Sequence, residues 1–178
     1  MTFGWAYALL ALIAVQRLAE LVLARRNTAR LMARGAVEHG AAHYPLFILL
    51  HGSWLIAMAL LTEPSPHLNP WLAAAFAVLF LARFWVIGTL GPYWTTRIIS
   101  LPDAPLVRRG PFRWLRHPNY TVVALEIPLV PALLGLDWLG LVFGVLNIAL
   151  LTHRIRVENA ALAPRQNHSQ DNGQNNDN

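Results

Sequence analysis

Three apolar stretches, near residues 3–24, 44–62 and 70–90, are each long enough to cross the hydrocarbon core of a bilayer, which takes about 20 residues of helix. Backbone inside lipid must satisfy its own hydrogen bonds, so it is helical or belongs to a closed barrel, and apolar runs of this length are helix. Two shorter apolar stretches, about 120–135 and 138–152, are joined by Gly135-Leu136-Asp137, with Pro128 and Pro131 inside the first. They predict a tight helical hairpin packed in the bundle, where neighbours can answer the carbonyls that proline frees. The expected fold is all-α: a multi-pass membrane bundle of about five transmembrane helices, one domain over 1–163, ending in that hairpin. The first run lacks a basic leader and a small-residue cleavage site and continues past Gln16-Arg17, so it reads as an uncleaved span.

Arginine sets the orientation. Segments 25–43, 91–119 and 153–178 carry four, five and three arginines, 12 of the chain's 14 cationic residues, whereas 63–69 and 135–137 carry none. By the positive-inside rule the amino terminus faces outward, and the arginine-bearing segments and the carboxyl terminus lie in the cytoplasm, which predicts a multi-pass inner-membrane protein. A pI near 10.7 would suggest nucleic acid in a soluble domain, but these cations flank apolar spans, and no nucleic-acid partner is expected. The absence of cysteine rules out disulfides, thiolate metal sites and a thiol nucleophile. After Pro164 the chain is a Gln/Asn/Asp/Ser/Gly tail, and 164–178 is expected to lack order.

Arg17, Glu20, His51, Arg83 and Glu126 fall inside the predicted spans, where each unpaired charge costs at least about 2.5 kcal/mol. Arg17 and Glu20, three apart on one face, read as a local ion pair. Arg83 is near enough to the cytoplasmic end to snorkel there, or else supports the bundle or lines a pocket. His51 reads as a hydrogen-bonded packing residue, since no second His or carboxylate stands at metal-ligating spacing, and no metal site is expected.

The longest polar stretch before the tail, Gly91 to Tyr120, is dense in Arg, Pro, Trp and Tyr, and long ordered loops commonly carry function. It closes on Leu106-Val107, Gly110-Pro111-Phe112 and Arg116-His117-Pro118-Asn119-Tyr120; beyond the hairpin, Arg154 and Glu158 stand four apart before Leu162. Taken singly, these describe a positive-inside loop and an interfacial helix with a salt bridge. Taken in order, Leu-Val, Gly-aromatic, Arg-His-Pro-X-Tyr, hairpin and Arg-X-X-X-Glu resemble the isoprenylcysteine carboxyl methyltransferase superfamily over roughly residues 90–163. The stretches Gln16 to Leu21, Arg25-Arg26-Asn27, Gly35 to Glu38, His43-Tyr44-Pro45 and Trp94 to Ile99 further resemble a bacterial branch associated with type III polyketide synthases, whose members O-methylate alkylpyrones or alkylresorcinol-derived quinones.

The resemblance implies an integral membrane enzyme using S-adenosylmethionine. It places Leu106, Val107, Phe112, His117, Pro118, Asn119 and Tyr120 around the cofactor, Glu158 at the cofactor's amino-acid end, and Arg154 opposite the reacting acid of the acceptor. A carboxylate suits the methionyl ammonium, and guanidinium suits an oxyanion. Asn159 stands where a second Glu is common in the family, and Phe112 where a Tyr is. These departures bear more on the acceptor than on the cofactor. No Gly-X-Gly loop follows a predicted strand, so the soluble Rossmann route is closed. The expected partners are membrane lipids and a lipophilic small-molecule acceptor, such as an alkylpyrone or alkylquinone. Two alternatives stand beside O-methylation: a phospholipid-type N-methyltransferase, and a small membrane transporter or scaffold favoured by the intramembrane charges.

Overall fold

A computed structural model of the chain describes residues 4–102, 104 and 107–174, with side chains to Leu162. The described residues form five α-helices: α1 (Trp5–Met32), α2 (Tyr44–Leu61), α3 (Pro70–Leu90), α4 (Pro118–Leu133) and α5 (Asp137–Gln174). α1, α2, α3 and α5 are long and apolar enough to cross a membrane. α4 has 16 residues, about 24 Å of helix at 1.5 Å per residue, and is the short arm of the expected hairpin. Outward-facing side chains are apolar, among them Leu60, Trp71 and Leu141 at 78%, 82% and 70% exposure, the surface a lipid solvent requires.

Local chemistry fixes the helix ends. Asn69 caps α3 by accepting from the backbone N–H groups of Trp71 and Leu72 at 3.0 and 3.4 Å, with Pro70 at the first helical position, where its missing N–H costs nothing. α4 ends at Gly135, whose φ of +75° lets the Leu136 N–H close back on the Pro131 carbonyl at 2.8 Å. Pro131 cannot donate to the carbonyl of Ile127, and the indole of Trp54 on α2 donates to it instead at 3.0 Å. Gly140 and Gly144 bring α5 against Pro128 of α4. A Cβ on Gly140 would lie 2.7 Å from the Pro128 oxygen, so close packing of the hairpin depends on small residues.

The structure adds to the sequence reading in the loops and among the buried charges. Residues Val37–His39 and Ile98–Ser100 form an antiparallel two-stranded ribbon, β1 and β2, with Glu38 opposite Ile99, tying the α1–α2 connection to the loop after α3. Of the two readings of Arg83, snorkelling fails and support fits: it is buried and gives Nε and Nη2 to the Glu20 carboxylate. The Arg17–Glu20 contact at 3.2 Å is present but belongs to a larger set, because Arg17 Nη2 lies 2.6 Å from Glu126 of α4 and Arg83 Nη1 lies 3.7 Å from it. Two guanidinium groups and two carboxylates from three helices thus neutralise one another, which lowers the cost of burying each. The backbone of α5 is described to Gln174.

Candidate functional site

The arginine-bearing loops converge at one end of the bundle. Asn27, buried on α1, donates to the carbonyls of Gly91 and Trp94 at 3.1 and 2.9 Å and so anchors the start of the long loop. Further on, Gly110 takes a φ of +57°, and a Cβ there would lie 2.7 Å from the Thr89 hydroxyl. Only glycine lets the Gly-Pro-Phe turn sit this closely on α3. That turn ends just before His117, which leads into Pro118 at the start of α4.

A cavity of about 760 Å³ opens at this end and is lined from every helix. Val107, Phe112, His117, Pro118, Asn119, Tyr120, Arg154 and Glu158, all singled out from sequence, lie on its wall. Leu106, assigned the same role, lies outside the described residues. Arg154 and Glu158 share a helical face but do not pair directly. The Tyr120 hydroxyl stands between them, accepting from Arg154 Nε at 2.8 Å and donating to the Glu158 carboxylate.

Arg154 is held on all sides. Its Nη2 donates to the Thr96 carbonyl at 2.7 Å, and its guanidinium carbon lies 5.1 and 5.6 Å from the ring centres of Phe47 and Tyr120. Nη1 has no hydrogen bond among the described residues. His117 stacks on Tyr120 with ring centres 5.4 Å apart. Its Nε2 donates to Asn159 Oδ1 at 3.1 Å, and its Nδ1 lies 3.7 Å from Glu158. Asn159, one of the departures from the family pattern, therefore orients the histidine. Among the described residues no cluster has the composition of a metal site.

Thr96, Phe47 and Tyr44 were not assigned roles from sequence. The Tyr44 hydroxyl meets that of Thr96 at 3.0 Å, and the Arg97 guanidinium lies over the Tyr44 ring while pairing with Glu38 at 3.0 Å. Tyr44, Glu38, Thr96 and Arg97 all fall in the stretches that carried the resemblance to the bacterial branch, which was the available signal. They buttress the backbone that receives Arg154.

At its other end the cavity turns apolar and runs between α1 and α2. Leu18, Leu21 and Ile48 line it and are also 62%, 40% and 53% exposed on the outer surface, so this arm reaches the lipid-facing side. Arg17, Glu20, His51 and Arg83 add a polar patch to its wall.

The family model for the isoprenylcysteine carboxyl methyltransferase family matches residues 71–164, from the start of α3 through the Arg154–Glu158 motif. Among curated proteins, the uncharacterized protein YpbQ of Bacillus subtilis is 40% identical over 161 residues, covering 88% of this chain and 95% of that protein. An uncharacterized protein of Haemophilus influenzae is 27% identical over 157 residues, covering 83% and 88% respectively. No solved structure matches.

Proposed function

The chain belongs to the isoprenylcysteine carboxyl methyltransferase family, a family of membrane methyltransferases, and from that premise we propose that it is an S-adenosylmethionine-dependent O-methyltransferase acting on a lipophilic acidic acceptor. The reading rests chiefly on one observation. A single cavity presents a carboxylate, Glu158, and a partly free guanidinium, Arg154, one helical turn apart at its polar end, while its apolar arm reaches lipid-exposed side chains.

The residues fit the cofactor chemically. The volume lies within the roughly 300–1,000 Å³ typical of small-molecule sites. Asn119 Oδ1 is buried without a hydrogen-bond partner, an acceptor awaiting a donor. Glu158 would hold the amino-acid end, and Val107, Phe112, Pro118 and Tyr120 would border the rest. When bound, the cofactor supplies a methyl group on a sulfonium.

The residues' task is alignment and exclusion of water, because methyl transfer is an in-line displacement. A carboxylic acid or an acidic enol such as a hydroxypyrone is largely ionised near neutrality. Arg154 therefore acts as anchor and charge stabiliser, with no base required. The polar ligand enters from the cytoplasm, the acceptor slides in between α1 and α2, and the two meet at the inner leaflet. Similarity to the branch that methylates polyketide lipids favours an alkylpyrone or alkylquinone-type acceptor.

Glu158→Ala should abolish S-adenosylmethionine binding in calorimetry while the protein stays folded; unchanged affinity would remove that role. Arg154→Ala should lower turnover by about a hundredfold or more, the scale of losing one oxyanion donor, with little change in cofactor affinity. Incubation of purified protein with labelled S-adenosylmethionine and a lipid extract should label an O-methyl ester or ether. Label found only on an amine would mean N-methylation instead.

A further inference from the structure

The long loop builds a second recess beside the main cavity. It measures about 500 Å³ and is lined by Arg108, Phe112, Arg113, Trp114, Leu115 and Arg116. Arg108, Phe112 and Arg116 also line the main cavity, so the two open side by side. Arg108, Arg113 and Arg116 are exposed, and among the described residues no carboxylate pairs with them and no hydrogen bond holds their guanidinium groups. Between Arg113 and Arg116 stand two apolar side chains, Trp114 and Leu115, which are exposed as well. An exposed indole beside a leucine is costly in water but not at a bilayer surface, where the ring sits among headgroups and the alkyl group among tails.

The recess lies near the rim of a span. Trp114 packs on Trp85 of α3 with ring centres 5.9 Å apart. Trp85 is itself exposed and stands about 7.5 Å, at 1.5 Å per residue, before the helix end at Leu90. Gly110 fastens the turn at the same place, since a Cβ there would lie 3.3 Å from Trp85 Nε1. Because α3 is long and apolar enough to cross a membrane, two indoles side by side near its end match the aromatic belt found where a span meets headgroups. A phosphate at that level meets guanidinium groups whose planar forks suit its oxygens. We propose that this recess binds the head of an anionic membrane phospholipid, with the phosphate on Arg108, Arg113 and Arg116 and the glycerol and upper chains against Trp114 and Leu115. A soluble polyanion satisfies the arginines but gives the paired indoles no apolar partner. The arginines after the α1 span, Arg25, Arg26, Arg30 and Arg34, are also exposed but line neither recess, so they attract anionic lipid only as diffuse charge.

The test counts bound lipid. The full chain in detergent micelles with equimolar phosphatidylglycerol and phosphatidylcholine of the same acyl chains is examined by native mass spectrometry. The wild type should retain phosphatidylglycerol over phosphatidylcholine by about tenfold or more, the scale of one hydrogen bond to a charged group. Arg108→Gln with Arg113→Gln should bring that ratio near one, and Arg113→Gln alone, a change at an exposed position, should already lower it several-fold. Arg26→Gln with Arg30→Gln removes the same charge and should leave most of the preference. Equal losses in the two double variants would reduce the effect to diffuse charge and overturn the recess as a site. A wild-type ratio near one overturns it too, whether or not any variant folds. Glycerol 3-phosphate, a soluble phosphate head, is added as competitor; displacement of the lipid at micromolar concentration would overturn the lipid assignment in favour of a soluble phosphate. None of these readouts involves methyl transfer, so their failure and that of the O-methyltransferase reading are separate results.

Discussion

Tyr120 decides what Arg154 and Glu158 can do. Four apart on a helix, a guanidinium and a carboxylate would ordinarily pair, and each would then be spent on the other. The phenolic hydroxyl separates them by bonding to both, which on the proposed function would leave the carboxylate for an ammonium and Nη1 for an oxyanion. Tyr120→Phe should let the two close on each other. The expected result is a fall of about tenfold or more in kcat/KM, together with weaker cofactor affinity and an almost unchanged Tm; a variant with wild-type kinetics would show that the hydroxyl does not separate them. His117, Tyr120, Arg154 and Glu158, which line one cavity, were singled out in the sequence by the order of the motifs that hold them. The Thr96 carbonyl that receives Arg154 was not, since a backbone acceptor leaves no mark on residue type. Asn159 was noticed only as a departure, and its bond to His117 emerges only when α4 and α5 pack.

Among the elements, α3 lies where its apolar run places it, because Asn69-Pro70 at the start and Gly91 at the end punctuate the chain by local chemistry alone. The hairpin was equally legible, but what permits its prolines was not. The carbonyl freed by Pro131 is answered by Trp54, 73 residues away in sequence. Trp54→Phe keeps the apolar bulk and removes the donor. It should cost about 1–3 kcal/mol, the price of an unsatisfied buried carbonyl, seen as a lower Tm in detergent; an unchanged Tm would mean the carbonyl has found another donor. The β1–β2 ribbon escaped the sequence reading because three-residue strands are too short to show an alternating pattern.

For the molecule as a whole, the proposed orientation puts the cavity's polar end in the cytoplasm. The chain has no cysteine, so single substitutions can report sidedness without background. In spheroplasts, an impermeant maleimide should label a Glu63→Cys variant and spare an Arg34→Cys variant until the membrane is opened; the reverse pattern would invert the topology. The helical bundle and the sorting of arginine along the chain follow from the sequence by itself, because lipid imposes one-dimensional rules on length, apolarity and charge. The tertiary structure alone decided how the intramembrane charges are answered. Arg17, Glu20, Arg83 and Glu126 come from three helices and neutralise one another only after those helices meet. The same packing placed Tyr120 between Arg154 and Glu158 and turned His51 into the cavity, since the choice of partner for a buried polar group depends on distance in space, which spacing along a single chain does not specify.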